Sequence, residues 1–370
     1  MADYRVIAAD LRSGLRIAEL PINDLSFGSV LNGAGELSGS LPLPSNDPVQ
    51  AAALVDAVDP VRRQIIVERD GVVVWCGIVW VAAYDDTSQT VDVRAGETWS
   101  YYRKRIIGTR RKFVGVDQLD IVQTLLEDAH AVSGGDIGVT VGTETSGVDR
   151  DRLYEVWEFK NLGEAVEQLA EVINGFDFSI DAYWTNAGTL AKALRLWYPR
   201  KGRRFDETGH VFEVGRNIIS WDWPLDGTRY ANQVRNVGAG QDAGTLRVTR
   251  TASDQLLLPS AGGPGYPLIE DVISNTDVLV AATLTAQADL ALNSAARPVV
   301  IPSVTVRADL DPIFGSWSLG DACRIVAEPG ITPYFPNGLD DYRRIIGFDV
   351  AVSDDGEEEV QLVLGVEDNA

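Results

Sequence analysis

Residues 65–107 restrict the fold more than any other stretch of the chain. Two runs rich in β-branched residues flank Asp70-Gly71, a polar turn follows at Asp85-Asp86-Thr87-Ser88, and a valine strand then leads into Trp99-Ser100-Tyr101-Tyr102-Arg103-Lys104-Arg105. Asp-Gly between such runs predicts a tight hairpin, because both central residues of a type I′ turn need positive φ. The second turn reverses the chain again. The expected unit is a three-stranded antiparallel meander. Its middle strand is long, apolar and marked by Trp75 and Trp80, so it is expected to be buried on both faces or bent around a barrel. No catalytic group stands out in it.

At 370 residues and 40.1 kDa the chain has room for two or three domains. Hydrophobic residues make up 45% and mean hydropathy is close to zero, which implies a folded protein. The net charge of −22 argues against general nucleic-acid affinity, since phosphate binding needs a clustered positive field. The two cysteines, Cys76 and Cys323, belong to no Cys-x-x-Cys or Cys/His cluster and read as buried thiols. The first residues form no signal-peptide core, and no apolar run reaches the roughly 18 residues of a membrane span. Synthesis in a cytoplasm, with no membrane span, is expected.

Tyr4–Asp10 and residues 15–20 read as a hairpin around Ser13-Gly14, and residues 36–43 as a further strand after a Gly-rich loop. Asp47 and Pro48 open a short helix to about Ala57 as N-cap and first helical residue. With the meander, residues 1–107 make a β-rich unit of six strands and one helix. From Asp117 the period changes: Leu119, Val122, Leu125, Leu126 and Ala129 share a helical face that ends before Gly134-Gly135. A second helix starts at Asn161, with Glu164 placed for a capping box, carries Ala165, Val166, Leu169 and Val172 inward, and stops at Asn174-Gly175. Two strands then pair around Asn186-Ala187-Gly188. Residues 108–216 are therefore an α/β insert.

Strands return at 218–223, 232–238 and 246–250. A Gly/Pro-rich loop at 260–267 reads as an exposed excursion. Asn275 or Thr276 caps an Ala/Leu-rich helix ending near Ala296, with Pro298 fixing its stop. Strands at 299–306, 322–327, 343–352 and 359–366 complete a second β-rich unit, the last two joined at Asp354-Asp355-Gly356. The expected fold class is β-rich α+β. Two small β-barrel-like domains, 1–107 and 217–370, flank the insert, and the second carries a helical insertion at about 253–297.

Candidate chemistry is thin. His130 and His210 are the only histidines, and neither a Gly-x-Ser-x-Gly elbow nor a His-Glu-x-x-His motif accompanies them. The carboxylate pairs Asp85-Asp86, Asp340-Asp341 and Asp354-Asp355 could hold a cation or act as acid and base. Adjacent Asp residues in turns are common, however, and the spacing of a calcium loop is missing. Gly238-Ala239-Gly240 lacks the helix that a dinucleotide fingerprint requires. No catalytic residue, metal or cofactor is expected. Two basic clusters stand against the acidic mean: Arg103, Lys104 and Arg105 with Arg110, Arg111 and Lys112, and Arg200 and Lys201 with Arg203 and Arg204. Interleaved with Trp99, Tyr101 and Tyr102, the first imitates a surface for single-stranded nucleic acid. The favoured reading is pairing with acidic neighbours in a ring of like subunits, which makes Arg103, Arg105, Arg110, Arg111, Arg200, Arg203 and Arg204 candidate interface residues.

The Trp75-Cys76-Gly77-Ile78 strand with its polar turn, valine strand and aromatic-basic exit resembles the first barrel of tail-hub proteins from long-tailed bacteriophages. Further landmarks follow in the same order: residues 159–170 running into Gly175-Phe176-Asp177-Phe178, then Ala231-Asn232-Gln233-Val234, Leu319-Gly320-Asp321-Ala322, and Arg343-Arg344-Ile345-Ile346-Gly347. Together they cover nearly the whole chain and are similar to minor tail proteins of siphophages of high-GC Gram-positive hosts. The resemblance implies a homotrimer whose two barrels per subunit form a pseudo-sixfold ring under the distal tail protein. It also implies contacts with the C-terminus of the tape measure protein and with further tail-tip or receptor-binding proteins. Such a protein is a virion component assembled in the host cytoplasm, and DNA passes its lumen without specific binding. A receptor or glycan binder and a cell-wall hydrolase are the alternatives. The first of these should carry its aromatics on exposed loops, whereas Trp75, Trp80, Trp157 and Trp197 read as strand residues.

Overall fold

The computed structural model describes residues 2–240, 242–252, 266–275, 278, 280–295, 302–353 and 357–367. The chain forms two compact units, Met1–Trp221 with Ser303–Ala370, and Asp222–Pro302. It is β-rich with few helices, as its alternating apolar patterns predict.

The N-terminal strands are β1 (Tyr4–Asp10), β2 (Arg16–Leu20), β3 (Asn23–Val30) and β4 (Glu36–Pro42). Helix α1 (Pro48–Ala57) follows, and then the meander β5 (Arg63–Arg69), β6 (Val72–Asp85) and β7 (Thr90–Glu97). Asp70 and Gly71 adopt φ of 52° and 79°, the conformation that the hairpin demands. Asp47 caps α1 by accepting from the Gln50 amide at 2.9 Å. Burial of β6 is confined to five consecutive residues, Trp75 to Val79, and its outer end is largely open. Burial on both faces therefore holds for the middle of that strand only. The expected Gly-rich loop contains strand β3, whose Leu25 and Phe27 point inward between polar neighbours.

The next segment holds the short helix α2 (Trp99–Tyr102), β8 (Arg111–Asp117), α3 (Gln118–Ala131), β9 (Val139–Val141), β10 (Asp149–Tyr154) and α4 (Leu162–Ala170), followed by β11 (Asp177–Trp184), β12 (Leu190–Trp197) and α5 (Phe205–Thr208). The predicted face of α3 is the buried one: Leu119, Val122, Leu125, Leu126 and Ala129 pack with Leu162, Val166, Leu169, Phe176 and Phe178. Asp117 starts α3 by accepting from the Leu119 amide at 2.8 Å, and its second oxygen holds the amides of Ser146 and Gly147. Asn161 caps α4 through the Glu164 amide at 3.0 Å, but the helix ends at Ala170, short of Asn174-Gly175. Strands β8 and β10 form a separate two-stranded ribbon.

Strands β13 (Val211–Glu213) and β14 (Ile218–Asp222) lead to the second unit. That unit is a sheet of β15 (Gln233–Val237), β16 (Arg247–Thr251) and β17 (Glu270–Ser274), with α6 (Ala281–Ala295) packed on it. Asn232, just before β15, and Asn236 within it are buried there and donate to the carbonyls of Pro267 and Leu284, which satisfies their side-chain amides. The loop at 260–267 lies outside the described residues up to 265. Thr276, Pro298 and the Asp354-Asp355-Gly356 turn lie outside them as well.

Strands β18 (Ser303–Arg307), β19 (Ala322–Ala327), β20 (Leu339–Val352) and β21 (Glu358–Val366) return to the first unit. There the hydrogen-bonded path runs β14-β18-β21-β20-β3-β4-β7-β6-β5-β1-β2, with β19 on β20 and β13 on β19. The N-terminal and C-terminal strand sets are joined directly by β3 and β20, antiparallel from Val30 opposite Gly347 to Leu25 opposite Val352. A bidentate pair from Arg69 on β5 to Glu358 on β21, at 2.8 and 3.0 Å, ties the same two sets a second time.

Candidate functional site: arginine clusters and a buried junction

The first basic cluster is largely engaged within the chain. Arg103 and the Trp99 indole both donate to Oε1 of Glu167 on α4, each at 2.7 Å. Arg105 donates to the carbonyls of Ala129 and Gly135, where the end of α3 leaves acceptors without helical partners. Arg110 grips both oxygens of Glu155 at 3.0 and 3.1 Å, and Arg111 is bidentate to Asp128. Lys104 lies over the Trp80 ring, 5.0 Å from its centre.

The second cluster behaves alike. Arg200 pairs with Glu367 at 2.8 Å and donates to the Gly320 carbonyl. The side chain and amide of Arg203 converge on Asp321, at 2.7 and 2.8 Å. The Arg204 amide donates to Glu207. Burial alone would raise the Asp321 carboxyl, but hydrogen bonds from Arg203 and Ser318, with the His210 ring 3.8 Å away, outweigh it and hold the group well below the usual carboxylate range. The guanidinium-bearing side chains of Arg103, Arg110, Arg111 and Arg203 stay between 37% and 56% exposed despite these pairs, whereas Arg200 is 15% exposed.

No charge pattern or ligand spacing in the sequence singles out Asp177, yet it connects three parts of the first unit. Its Oδ1 accepts from Asn32 in the β3–β4 turn at 2.9 Å. Its Oδ2 accepts from the Lys201 amide at 2.7 Å and pairs with Arg344 of β20. Asn32 in turn accepts from the Phe178 amide at 2.7 Å. Nearby, Glu97 takes the Ser29 hydroxyl at 2.6 Å and the Gly35 amide at 2.7 Å. Burial still pushes its pKa up to about 7 against those bonds. Lys192 on β12 is 2% exposed and meets no carboxylate: it donates to the Leu11 carbonyl at 2.8 Å and the Gln64 amide oxygen at 3.0 Å, and burial pulls it down to about 8. A lysine breaking the apolar run Leu190-Ala191-Lys192-Ala193-Leu194 is the one sequence signal that could have marked this site.

The remaining candidates are occupied by structural roles. His130 shares a 2.8 Å bond with the Tyr102 hydroxyl, and burial lowers its pKa. His210 sits beside Asp321. Asp340 and Asp341 pair with Arg324 and Arg343, and Asp85 accepts from Thr87 and Ser88 in its turn. Among the described residues no three His, Cys, Asp or Glu side chains group as metal ligands, and no helix is long and apolar enough to cross a membrane. Both cysteines are buried and free, with burial pushing Cys76 up to about 11 and Cys323 higher. Trp157 corrects the strand reading: it lies in a single 3-10 turn, Val156–Glu158, and is 72% exposed. It reads as a strand residue because β-branched and aromatic neighbours surround it, but among the described residues nothing pairs with that turn to bury them.

No protein-family model matches the chain, and no curated protein matches it in sequence. Solved structures do match along the whole length. The 43 kDa tail protein of prophage MuSo2 from Shewanella oneidensis aligns with a TM-score of 0.59 at 13% identity, covering 98% of both chains. A tail protein from Neisseria meningitidis MC58 gives 0.57 at 14% identity over 99% of this chain and 97% of the other. Prophage tail protein gp18 from Listeria monocytogenes EGD-e gives 0.54 at 12% identity over 97% and 94%. Over its full length, then, the chain has the fold of phage tail proteins.

Proposed function

We propose that the protein is a structural, non-enzymatic component of a bacteriophage tail tip, in which three copies form a hub ring between the distal tail protein and the tip. The observation that carries this reading is the direct pairing of β3 with β20. It sets an N-terminal and a C-terminal strand set side by side in one hydrogen-bonded sheet, so a single chain can offer two adjacent wall positions. Three copies would then meet a sixfold tube with six. In this reading residues 1–107 and 217–370 are the two barrel-like parts, the second interrupted by the separate unit Asp222–Pro302 that contains the helical insertion, and 108–216 is the insert. Strands β2 and β14 end the sheet path, and neighbouring copies or the distal tail protein would cover such edges.

The tape measure C-terminus and tip or receptor-binding proteins are the further partners of a hub, and DNA would cross its lumen. The interface role of the arginines narrows to Arg103, Arg110, Arg111, Arg203 and Arg204, whose side chains still reach solvent. Quantitative mass spectrometry of intact tails tests the proposal. Half as many copies as one six-membered ring of the tube protein is the expected result, and equal numbers would remove the reason for calling the protein a hub.

A further inference from the structure

The β8–β10 ribbon is rich in charge but carries apolar side chains on both faces. Phe113 and Tyr154 point into the core, whereas Val114 and Leu153 are exposed, and the turn after β10 adds Trp157 and Phe159, 72% and 66% exposed. This turn is built to hold them outward. Glu158 accepts from the Glu155 amide at 3.0 Å, Arg110 clamps Glu155, and Phe159 sits at φ 46°, a conformation that bulky residues avoid.

Charge says what fits there. Residues 103–117 and 149–164 hold nine basic and six acidic side chains, a net +3. Asp128 and Glu167, which reach the patch from α3 and α4, reduce it to +1, in a chain whose total is −22. The rest of each copy is therefore strongly acidic. Patch against patch would oppose like charges, while patch against another part of a second copy joins opposite ones.

We propose that this aromatic, positively charged patch seats on a different, acidic surface of a second copy of the chain, as the repeating head-to-tail contact of a ring. The proposal rests on the hub reading and names the surface through which it closes. Trp is among the side chains that dominate such contacts once desolvated, and Phe is enriched with it at interface cores.

The test uses the full chain with a photo-crosslinking amino acid in place of Trp157, together with sedimentation of wild type and a Trp157→Ser/Phe159→Ser variant. Both residues are exposed, so the variant should keep the wild-type circular dichroism and melting. Expected are crosslinks from position 157 to acidic segments outside 103–164 of another copy, and self-association weakened at least about tenfold in the variant. Crosslinks confined to 103–164 of the second copy would overturn the proposal. So would capture of DNA or host-wall glycan by the patch, or a wild type that stays monomeric at its highest soluble concentration. Wild-type trimers left intact by the variant would overturn it too while sparing the hub reading, which stands or falls separately on copy number in tails.

Discussion

Lys192 keeps an ammonium at the centre of the first unit with only neutral acceptors for company. Its ordinary pKa of 10.5 falls to about 8 in the fold because burial disfavours the charge. Between those two values the unfolded chain binds more protons than the folded one, so this residue's contribution to stability rises with pH across that window, by at most about 3 kcal/mol. Below pH 8 the charge persists in both states and the cost of burying it is fully present. Lys192→Met removes the titration. Urea unfolding of wild type and variant at several pH values should show wild type gaining on the variant from pH 8 to 10.5; a difference that stays flat would mean that the ammonium is solvated in the native state. Asp177 is the opposite case, a charge fully matched by Arg344, Asn32 and a main-chain amide. Neither environment is legible locally, because Lys192 and Gln64, or Asn32 and Asp177, are neighbours only after the strands have paired.

Elements with a strong local signal were readable from the sequence. The Asp70-Gly71 hairpin, the Asp47 cap and the inward face of α3 depend on residues within one or two turns of each other, and the fold agrees with them. Strands β3, β8, β10 and β17 were not readable: Ser, Gly, Arg or Asp interrupt their alternation, and partners far along the chain complete them. Strand β3 matters most, since among the described residues it alone carries the N-terminal sheet to β20. Its packing leaves no space behind the β3–β4 turn. A Cβ on Gly35 would stand 1.9 Å from the Gly28 carbonyl oxygen, which already accepts from Trp75 at 2.8 Å. Gly35→Ala should therefore cost about 2 kcal/mol or more, by displacing main chain that has no free rotamer to yield. The expected signature is a lower urea midpoint with faster amide exchange along Phe348 to Val352. Gly108→Ala, with open space around it, should stay within about 0.5 kcal/mol and serves as the control. Equal effects of the two substitutions would show that β3 can slide on its neighbours.

For the whole molecule, the question that a tail-tip role raises is how it treats DNA. A net charge of −22 repels a polyanion at long range, but at physiological ionic strength screening acts within about 8 Å, so local patches decide. The basic clusters are those patches, and the fold has largely spent them. Arg103, Arg110, Arg111 and Arg203 face carboxylates of the same chain, and Arg105 and Arg200 donate to helix-end and loop carbonyls. A guanidinium already paired with a carboxylate releases few counterions when a phosphate approaches, and counterion release is what drives non-specific binding. Duplex DNA should therefore bind with Kd weaker than about 0.1 mM at physiological salt, beyond the usual non-specific range. Glu155→Gln together with Glu167→Gln frees Arg110 and Arg103 without adding a basic residue. That variant should acquire measurable affinity in fluorescence anisotropy, falling with salt at a slope of about −2 in log Kobs against log salt, since two phosphate contacts become available. Tight binding by the wild type would mean that the intrachain pairs open readily to phosphate, and that the clusters serve the nucleic acid rather than the protein's own contacts.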